Sequence, residues 1–231
     1  MFTLDQVVPW GRSFDEYRRM FALSPDDLRG RILGCADGPA SFNAEATAVG
    51  LTVVSCDPLY RFTVADIRRR IAETTEVIIE QTQRNQEEFV WTLIRSVEEL
   101  RQLRSSAMER FLADFEADKA QGRYVDAELP ILPFENGAFD LALCSHFLFL
   151  YSEQLSEDFH VAAVREMNRV ATEVRVFPLL ALGGAGSPHV EPVIRHLQAD
   201  GYDVTIETVP YEFQRGGNEM LRVRRQAVKN G

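Results

Sequence analysis

The chain has 231 residues, of which 45% are hydrophobic. This is enough for one sizeable hydrophobic core and marginal for two domains. Lysine and arginine number 25 against 35 aspartate and glutamate, so the formal net charge of −10 argues against nucleic acid or an anionic membrane surface as partner. No apolar run reaches the about 20 residues that span a bilayer, and no basic segment leads into an apolar one near the start. We expect a cytoplasmic protein.

The three cysteines, Cys35, Cys56 and Cys144, each lie in or beside an apolar segment that is typical of a strand. Their odd number and the lack of a Cys-x-x-Cys spacing argue against a disulfide framework and against a zinc site. We therefore expect a reduced protein with no bound metal.

The first predicted strand, Arg31–Leu33, leads into a loop of small residues (Gly-Cys-Ala-Asp-Gly, 34–38) before a helix that begins near Ser41. Small residues at a strand-to-helix turn let backbone N–H groups approach a ligand closely, and the start of a helix favours negative charge. Such a loop alone is also common in tight turns. It becomes informative together with the next strand.

The second predicted strand, Leu51–Ser55, is followed by Asp57. In doubly wound folds an acid at this place accepts hydrogen bonds from the hydroxyls of an adenosine ribose. The alternative is that Asp57 caps a turn before Pro58. Taken with the small-residue loop, the ribose role is favoured.

The segment 62–121 is longer than a doubly wound connection needs. It contains neither glycine nor proline, and from Phe89 to Phe115 apolar residues recur every three or four positions, the helical period. Polar interruptions indicate two or three helices. The sequence thus predicts a helical insertion that serves as a brace, as a surface for a homodimer, or as a lid over a site.

At the insertion the chain leaves the predicted sheet just after Asp57, and it returns to the sheet just before Asp126. Open α/β sheets bind ligands at the carboxyl ends of their strands, and the insertion begins at that edge. We expect it to cover this edge and to form part of an acceptor pocket. Phe89 and Trp91 are candidates to face the acceptor, and the alternative places both in a seam between helices.

Two further apolar segments, Phe139–Ser145 and Glu173–Leu182, complete a set of strands separated by helical patterns, which predicts a parallel sheet. Tyr202–Phe213 and Glu219–Arg224 alternate in the β manner around residues 215–218, which predicts an antiparallel hairpin. The predicted fold is one doubly wound α/β domain over residues 1–231, with a mostly parallel sheet and a C-terminal antiparallel hairpin.

The run from Arg123 to His146 contains an acid, Leu132-Pro133-Phe134, a polar turn, and Phe139-Asp140 before an apolar strand. This run resembles the third and fourth strands of class I S-adenosylmethionine-dependent methyltransferases, and residues 34–38 resemble their Gly-x-Gly-x-Gly loop. The resemblance spans about residues 28–225 outside the insertion. It implies a Rossmann-like methyltransferase fold, S-adenosylmethionine as cofactor, and methyl transfer.

The resemblance also implies which residues bind the cofactor. The methionine and ribose portions would contact the first loop and the acid after the second strand: Gly34, Cys35, Ala36, Gly38 and Asp57. The adenine amino group would face Asp126 or Glu128, with Leu129 beside the ring. Spacing to the Leu-Pro-Phe run favours Glu128 and the position directly after the strand favours Asp126, so both stay open.

At the end of the fourth strand, Ser145 and His146 would face the transferred methyl group. His146 is a candidate general base because its ring titrates near neutrality, and the alternative is a hydrogen-bonded lining residue. Tyr151 is a second candidate catalytic residue, since its polar tip belongs at the mouth of the strand. The other three histidines form no metal-binding pattern and are interpreted as surface or packing residues.

Two positions depart from the family pattern. The middle glycine is Ala36. The acid that normally precedes the loop and helps to hold the cofactor's ammonium group is replaced by Ile32, or by Gly34 in a shifted alignment. Arg12 and Tyr17 are candidates to fold over that end of the site, where an arginine suits the carboxylate. The alternative is an N-terminal helix that packs its aromatic residues into the core.

The sequence therefore predicts an S-adenosylmethionine-dependent methyltransferase with a small-molecule acceptor. The first alternative is a non-catalytic protein of the same fold that acts as a binding or assembly module. The two departures from the family pattern favour this alternative. The second is a nicotinamide-dependent oxidoreductase, but the loop is one residue too short for Gly-x-Gly-x-x-Gly and lacks its middle glycine.

Overall fold

A sheet of seven strands organises the part of the chain that the computed structural model describes, residues 8–119 and 121–225. The strands lie in the order β3-β2-β1-β4-β5-β7-β6, with β1 to β5 parallel and β7 antiparallel to both of its neighbours. In chain order they are β1 Arg31–Cys35, β2 Thr52–Cys56, β3 Tyr124–Val125, β4 Phe139–Ser145, β5 Ala171–Phe177, β6 Tyr202–Thr208 and β7 Glu219–Arg225.

Helices connect these strands and cover both faces of the sheet. The α-helices are α1 Phe14–Met20, α2 Phe42–Ala48, α3 Val64–Arg84, α4 Val97–Lys119, α5 Glu157–Val170 and α6 Val190–Ala199. This order of strands and helices confirms the predicted doubly wound α/β fold with its antiparallel ending. The arrangement is Rossmann-like.

Successive residues of β1 point to opposite layers, as the period of two in a strand requires. Ile32 packs with α1 and α2 on one face, and Leu33 packs with α5 and α6 on the other. Both side chains are fully buried, so the central strand is apolar on both sides. The carboxyl end of β1 is thereby fixed from two faces, which gives the loop that follows a rigid base.

Two strands end earlier than the sequence predicts. The β5 strand stops at Phe177 because Pro178 has no N–H with which to continue a ladder. The β6 strand stops at Thr208, since the next residues turn away from the sheet toward α1 and the insertion. There the Tyr211 hydroxyl donates to Glu16 at 3.0 Å, and Phe213 stacks on Phe89 with ring centroids 4.9 Å apart.

The helices α3 and α4 occupy most of the segment between β2 and β3 and pack against each other. A cluster of buried aromatic residues joins α4 to β3 and to the segment before α3: Tyr60, Phe111, Phe115 and Tyr124. Ile67 of α3 packs in the same cluster. No helix in the described residues is both long and apolar enough to cross a bilayer.

A buried ion pair fastens α4 to α1. The Arg104 side chain is 1% exposed, and its Nη1 donates to Glu16 Oε2 at 2.7 Å. Arg104 lowers the pKa of Glu16 to about 2 despite the cost of burial. This pair therefore stabilises the fold above the usual glutamate pKa, and its contribution is lost as the pH falls toward 2.

Replacing Arg104 by Ala should lower the free energy of unfolding by about 3 to 5 kcal/mol at pH 7, because the Glu16 carboxylate would stay buried without its partner. Urea unfolding followed by circular dichroism measures this loss. The control is Arg84→Ala, which removes an exposed pair with Glu80 and should cost less than about 1 kcal/mol. Equal losses in the two variants would contradict the assigned role of Arg104.

Candidate active site

A cavity of about 680 Å³ opens at the carboxyl edge of the sheet, beside the ends of β1, β2 and β4. Most residues predicted to form the site line it: Ala36, Gly38, Asp57, Glu128, Leu129, Ser145, His146 and Tyr151. Gly34, Cys35 and Asp126 do not line it. The sheet edge thus brings together residues from four separate segments of the chain.

The loop after β1 has a left-handed backbone at two positions, one of which is not a glycine. Ala36 has φ of 54° and Gly38 has φ of 53°. The N–H of Ala36 donates to the Cys56 carbonyl at 2.9 Å, which ties the loop to the end of β2. An alanine in this conformation is strained by roughly 1 to 2 kcal/mol, so the departure at position 36 has a cost in stability.

Replacing Ala36 by Gly should therefore raise the free energy of unfolding by about 1 kcal/mol, because relief of the left-handed strain exceeds the added flexibility of the unfolded chain. Thermal unfolding would register the gain as a higher Tm. Ala163→Gly is the matched control, since Ala163 lies buried inside α5 and should lose stability. A lower Tm for Ala36→Gly would show that the methyl group has a packing role.

Gly34 and Cys35 serve the sheet and the loop rather than the cavity. Gly34 pairs with Ser55 in the β1–β2 ladder, and a Cβ at Gly34 would lie 1.8 Å from Oδ2 of Asp37. Cys35 is fully buried in the core. The absence of a side chain at Gly34 is thus what lets the Asp37 carboxylate fold back over β1.

Asp37 is a lining residue that the sequence analysis did not select. Its buried carboxylate accepts hydrogen bonds from the Tyr17 hydroxyl at 2.7 Å and from the Ser55 hydroxyl at 2.6 Å. Burial raises the pKa of Asp37 to about 6. The signal in the sequence is an acid inside a loop of otherwise small residues, directly between Ala36 and Gly38.

Asp57 performs the capping role and also lines the cavity. Its Oδ1 accepts from the Leu59 N–H at 2.7 Å, which caps the short helix Pro58–Arg61, and its Oδ2 accepts from the Gly38 N–H at 2.8 Å. Burial raises the pKa of Asp57 to about 6. A carboxylate offers about four acceptor sites, so two stay available toward the cavity.

The structure distinguishes between Asp126 and Glu128, the two candidates to face the adenine amino group. Asp126 is exposed and lies 3.1 Å from the Arg61 guanidinium, outside the cavity lining. Glu128 lines the cavity together with Leu129, and its charge contributes to the raised pKa of Asp57. Of the two, Glu128 has the position from which a carboxylate can reach a ligand in the cavity.

Arg12 reaches the cavity from the N-terminal segment. Gly11 lies so close to the first loop that a Cβ there would meet the Pro39 carbonyl oxygen at 2.0 Å, and the Arg12 carbonyl accepts from the Ser41 N–H at 3.0 Å. The Arg12 Nη1 donates to the Trp10 carbonyl at 3.0 Å. Its buried Nε has no hydrogen-bond partner among the described residues.

Burial lowers the pKa of Arg12 to about 10, and the guanidinium stays cationic at neutral pH. A buried N–H without a partner costs about 1 to 3 kcal/mol, so this group is poised to bind an anion in the cavity. Arg12 and Asp37 thus place a cation and a carboxylate beside the same loop, with Tyr17 donating to the carboxylate.

His146 occupies a strained position at the end of β4. Its φ is 51°, and its N–H donates to the Phe177 carbonyl at 2.6 Å. Burial, reinforced by Arg12 and Arg104, lowers the pKa of His146 well below its usual value, so the ring is neutral at pH 7. Non-glycine residues held in this region are concentrated at functional sites.

The Ser145 hydroxyl holds one nitrogen of the His146 ring. It lies 2.9 Å from Nδ1 of His146 and 3.9 Å from the Met20 sulfur. The direction of the bond to Nδ1 depends on the ring tautomer. When Nδ1 carries the proton and donates to Ser145, Nε2 keeps the lone pair that can accept a proton.

Tyr151 closes another part of the cavity wall. Its hydroxyl accepts from the Val8 N–H at 3.3 Å, which holds the N-terminal segment over the site. The insertion supplies further lining side chains: Phe62, Arg70, Ile78, Thr82, Phe89 and Leu100. Trp91 does not line the cavity and packs its ring against Phe89 and Phe213.

No family model matches the chain. It is 32% identical over 224 residues to the uncharacterized protein MJ0045 of Methanocaldococcus jannaschii, covering 96% of this chain and 98% of that protein. The chain belongs to the family of MJ0045. The similarity spans both the sheet and the insertion, so the relative has both parts.

Solved structures with a similar fold share little sequence with this member of the MJ0045 family. Magnesium protoporphyrin IX methyltransferase from Synechocystis PCC 6803, with bound SAM, is 12% identical, with a TM-score of 0.44 and coverage of 92% of this chain and 91% of that one. A possible histamine N-methyltransferase from Thermotoga maritima is 12% identical, with a TM-score of 0.47 and coverage of 93% and 90%. The fold assignment depends on the strand order given above.

Proposed function

We propose that this protein binds S-adenosylmethionine at the carboxyl edge of its sheet and transfers the methyl group to a small molecule. The observation that carries the proposal is the placement in one cavity of an acid for each polar part of the cofactor and a cation for its carboxylate. All of these residues line the cavity, and Arg12 and Asp37 lie beside the loop between β1 and α2. In the proposed complex Asp57 binds the ribose, and Glu128 and Leu129 meet the adenine.

The methionine end of the cofactor is a zwitterion, and the cavity offers the matching pair. The unpartnered Nε of Arg12 suits the carboxylate, and the buried Asp37 carboxylate suits the ammonium group. Asp37 would thereby replace the acid that is missing at Ile32. This fit explains why the chain keeps a buried carboxylate whose pKa is raised to about 6.

The size of the cavity suits small-molecule ligands. Its volume of about 680 Å³ lies within the range of about 300 to 1,000 Å³ that is usual for small-molecule sites. Its walls extend from the loop after β1 to α3 and to the segment that holds Phe213. A small acceptor therefore suits this space better than a polymer.

The cofactor supplies, when bound, a methyl group on a positively charged sulfur. The protein's own contribution is to hold an acceptor in line with that group, since orientation alone can provide several kcal/mol of the barrier reduction. His146 is placed to accept the acceptor's proton at Nε2, with Ser145 holding the other ring nitrogen. Tyr151 bounds the same wall with its hydroxyl.

The strand order disfavours the nicotinamide-dependent alternative. Dinucleotide-binding folds continue the parallel sheet with a sixth parallel strand, whereas β7 lies antiparallel between β5 and β6 here. Isothermal titration calorimetry with S-adenosylmethionine, S-adenosylhomocysteine and NADH tests the proposal. We expect the two sulfur compounds to bind at one site and NADH not to bind. Heat from NADH alone, or from none of the three, would overturn the proposal.

Cofactor affinity should fall as the pH is lowered from 7.5 to 5.0. Asp37 and Asp57 both have a pKa raised to about 6, and both must be ionised to bind their partners. At one unit below its pKa about a tenth of each group is ionised, so each should cost about tenfold in affinity at pH 5. Titrations with S-adenosylhomocysteine at several pH values measure this loss.

Protonation of Asp37 and Asp57 should stabilise the free protein, although it weakens cofactor binding. Their pKa values lie above the usual 3.8, so the ionised carboxylates lower the free energy of unfolding above pH 6, and this penalty disappears as the pH falls from 6 toward 4. Comparing Asp37→Asn with the unaltered chain isolates the contribution of one carboxylate. An affinity independent of pH over this range would contradict the assignment of both acids.

A further inference from the structure

The cavity beyond the loop after β1 has a wall of aromatic side chains contributed by distant segments of the chain. They come from the N-terminal segment, the insertion, the turn after β4, α5 and the connection between β6 and β7: Trp10, Phe62, Phe89, Phe147, Phe159 and Phe213. Such a wall presents ring faces and edges to whatever occupies the cavity. Its composition fits a flat aromatic molecule.

Four of these rings belong to two groups in which neighbouring rings pack against each other. Phe89 and Phe213 are stacked with centroids 4.9 Å apart, and Trp91 supports both from behind in edge contacts. Phe147 lies 6.4 Å from Tyr151 and 6.3 Å from Phe159, measured between ring centroids. Ring packing of this kind fixes the walls before a ligand binds, which lowers the entropic cost of binding.

The charges in the cavity restrict the acceptor further. The carboxylates among the described lining residues are Asp37, Asp57 and Glu128, and the proposed function assigns all three to the cofactor. The described lining therefore has no further carboxylate for a cationic acceptor. A buried ammonium group without a counter-charge would be strongly disfavoured. Arg12 also lines the cavity and is likewise assigned to the cofactor, whose carboxylate neutralises it.

We infer that the acceptor is a flat aromatic molecule, neutral or anionic, that is methylated on a hydroxyl group rather than on an amine. The inference rests on the proposed function and names the substrate class of the same cavity. His146 supplies the reason for the hydroxyl, since in the tautomer that donates from Nδ1 to Ser145 its Nε2 accepts a hydrogen bond from an O–H group.

The reaction balances with these groups alone. The hydroxyl proton passes to Nε2 of His146 as an oxygen lone pair forms the new O–CH₃ bond. The C–S bond breaks at the same time, and its electron pair stays on sulfur, which becomes a neutral thioether. The proton then leaves His146 for solvent, which its low pKa favours.

The test uses three naphthalene probes with the same ring system: 6-hydroxy-2-naphthoate, 2-naphthoate and 2-naphthylmethylamine, which is a cation at neutral pH. Each is titrated into protein saturated with S-adenosylhomocysteine, and probe fluorescence reports binding. We expect 2-naphthoate to bind at least tenfold more tightly than the amine. We expect the hydroxyl of the first probe to add a further threefold or more, and this gain to disappear in His146→Ala.

Two variants show whether the probes bind at the aromatic wall. Phe62 lines the cavity, but its side chain is 50% exposed, so Phe62→Ala should fold and yet weaken 6-hydroxy-2-naphthoate at least threefold. Val77 lies on α3 with 51% exposure, outside the cavity lining, and Val77→Ala should change nothing. The affinity for S-adenosylhomocysteine should be the same in both variants.

The possible failures are distinguishable. If S-adenosylhomocysteine binds but the amine equals or exceeds the naphthoates, or the hydroxyl adds nothing, the acceptor class is wrong and the cofactor site stands. Equal effects of Phe62→Ala and Val77→Ala would likewise overturn the aromatic wall as the acceptor site. If S-adenosylhomocysteine itself does not bind, the proposed function fails and this inference fails with it.

Discussion

Replacing Asp57 by Ala should weaken the binding of both S-adenosylhomocysteine and adenosine by about 2 kcal/mol, or about 30-fold, because the two ribose hydroxyls lose a charged acceptor. Adenosine contains the ribose but not the amino-acid end, so an equal loss for the two ligands locates the effect at the ribose. Isothermal titration calorimetry at pH 7.5, where Asp57 is ionised, gives both affinities.

The control for this variant must separate binding from folding, because Asp57 also caps the helix Pro58–Arg61 and holds the Gly38 N–H. Loss of the cap should cost about 1 to 2 kcal/mol of stability in Asp57→Ala. Asp57→Asn keeps one side-chain oxygen for the Leu59 N–H and should retain more stability while still losing the charge. If Asp57→Asn binds both ligands unchanged, Asp57 is only a capping residue.

Replacing Asp37 by Asn should weaken S-adenosylhomocysteine by about 1.5 to 3 kcal/mol but leave adenosine within about twofold, because only the former has an ammonium group. The uneven effect on the two ligands distinguishes this acid from Asp57. Stability should not fall at pH 7.5, since the substitution removes a buried charge whose pKa burial has raised to about 6. Thermal unfolding of the free variant checks that point.

A matched variant tests the other half of the zwitterion site. Arg12→Met keeps an unbranched side chain and removes the guanidinium, and it should also weaken S-adenosylhomocysteine and spare adenosine. If Asp37→Asn weakens adenosine as much as S-adenosylhomocysteine, the loop has been distorted and the carboxylate is structural. If neither ligand is affected, the ammonium group binds elsewhere.

The central strands could be predicted from sequence because their signals are local. β4 was predicted with the same limits that the structure has, since an apolar run bounded by polar residues is unambiguous over Phe139–Ser145. The end of β6 is not predictable in this way, because the alternating pattern continues through Phe213. Tertiary contacts instead end the strand at Thr208. Tyr211 and Phe213 turn from the sheet to reach Glu16 and Phe89.

The site was predictable in its position and less so in its details. The cavity lies at the carboxyl edge that the loop and Asp57 indicate. The role of Asp37 depends on the Tyr17 and Ser55 hydroxyls, which come from other segments, and a local pattern does not report such contacts. Asp126 and Glu128 are two positions apart, so their sequence positions do not distinguish them. The structure distinguishes them, because Asp126 pairs with Arg61 and Glu128 lines the cavity.

A crystal structure of the protein with S-adenosylhomocysteine tests the central claim most directly. We expect the ligand in the cavity at the carboxyl edge, with its ribose hydroxyls on Asp57, its adenine beside Leu129 and Glu128, and its carboxylate on Nε of Arg12. Density for the ligand at any other place, or an edge cavity that stays empty at millimolar ligand, would contradict it.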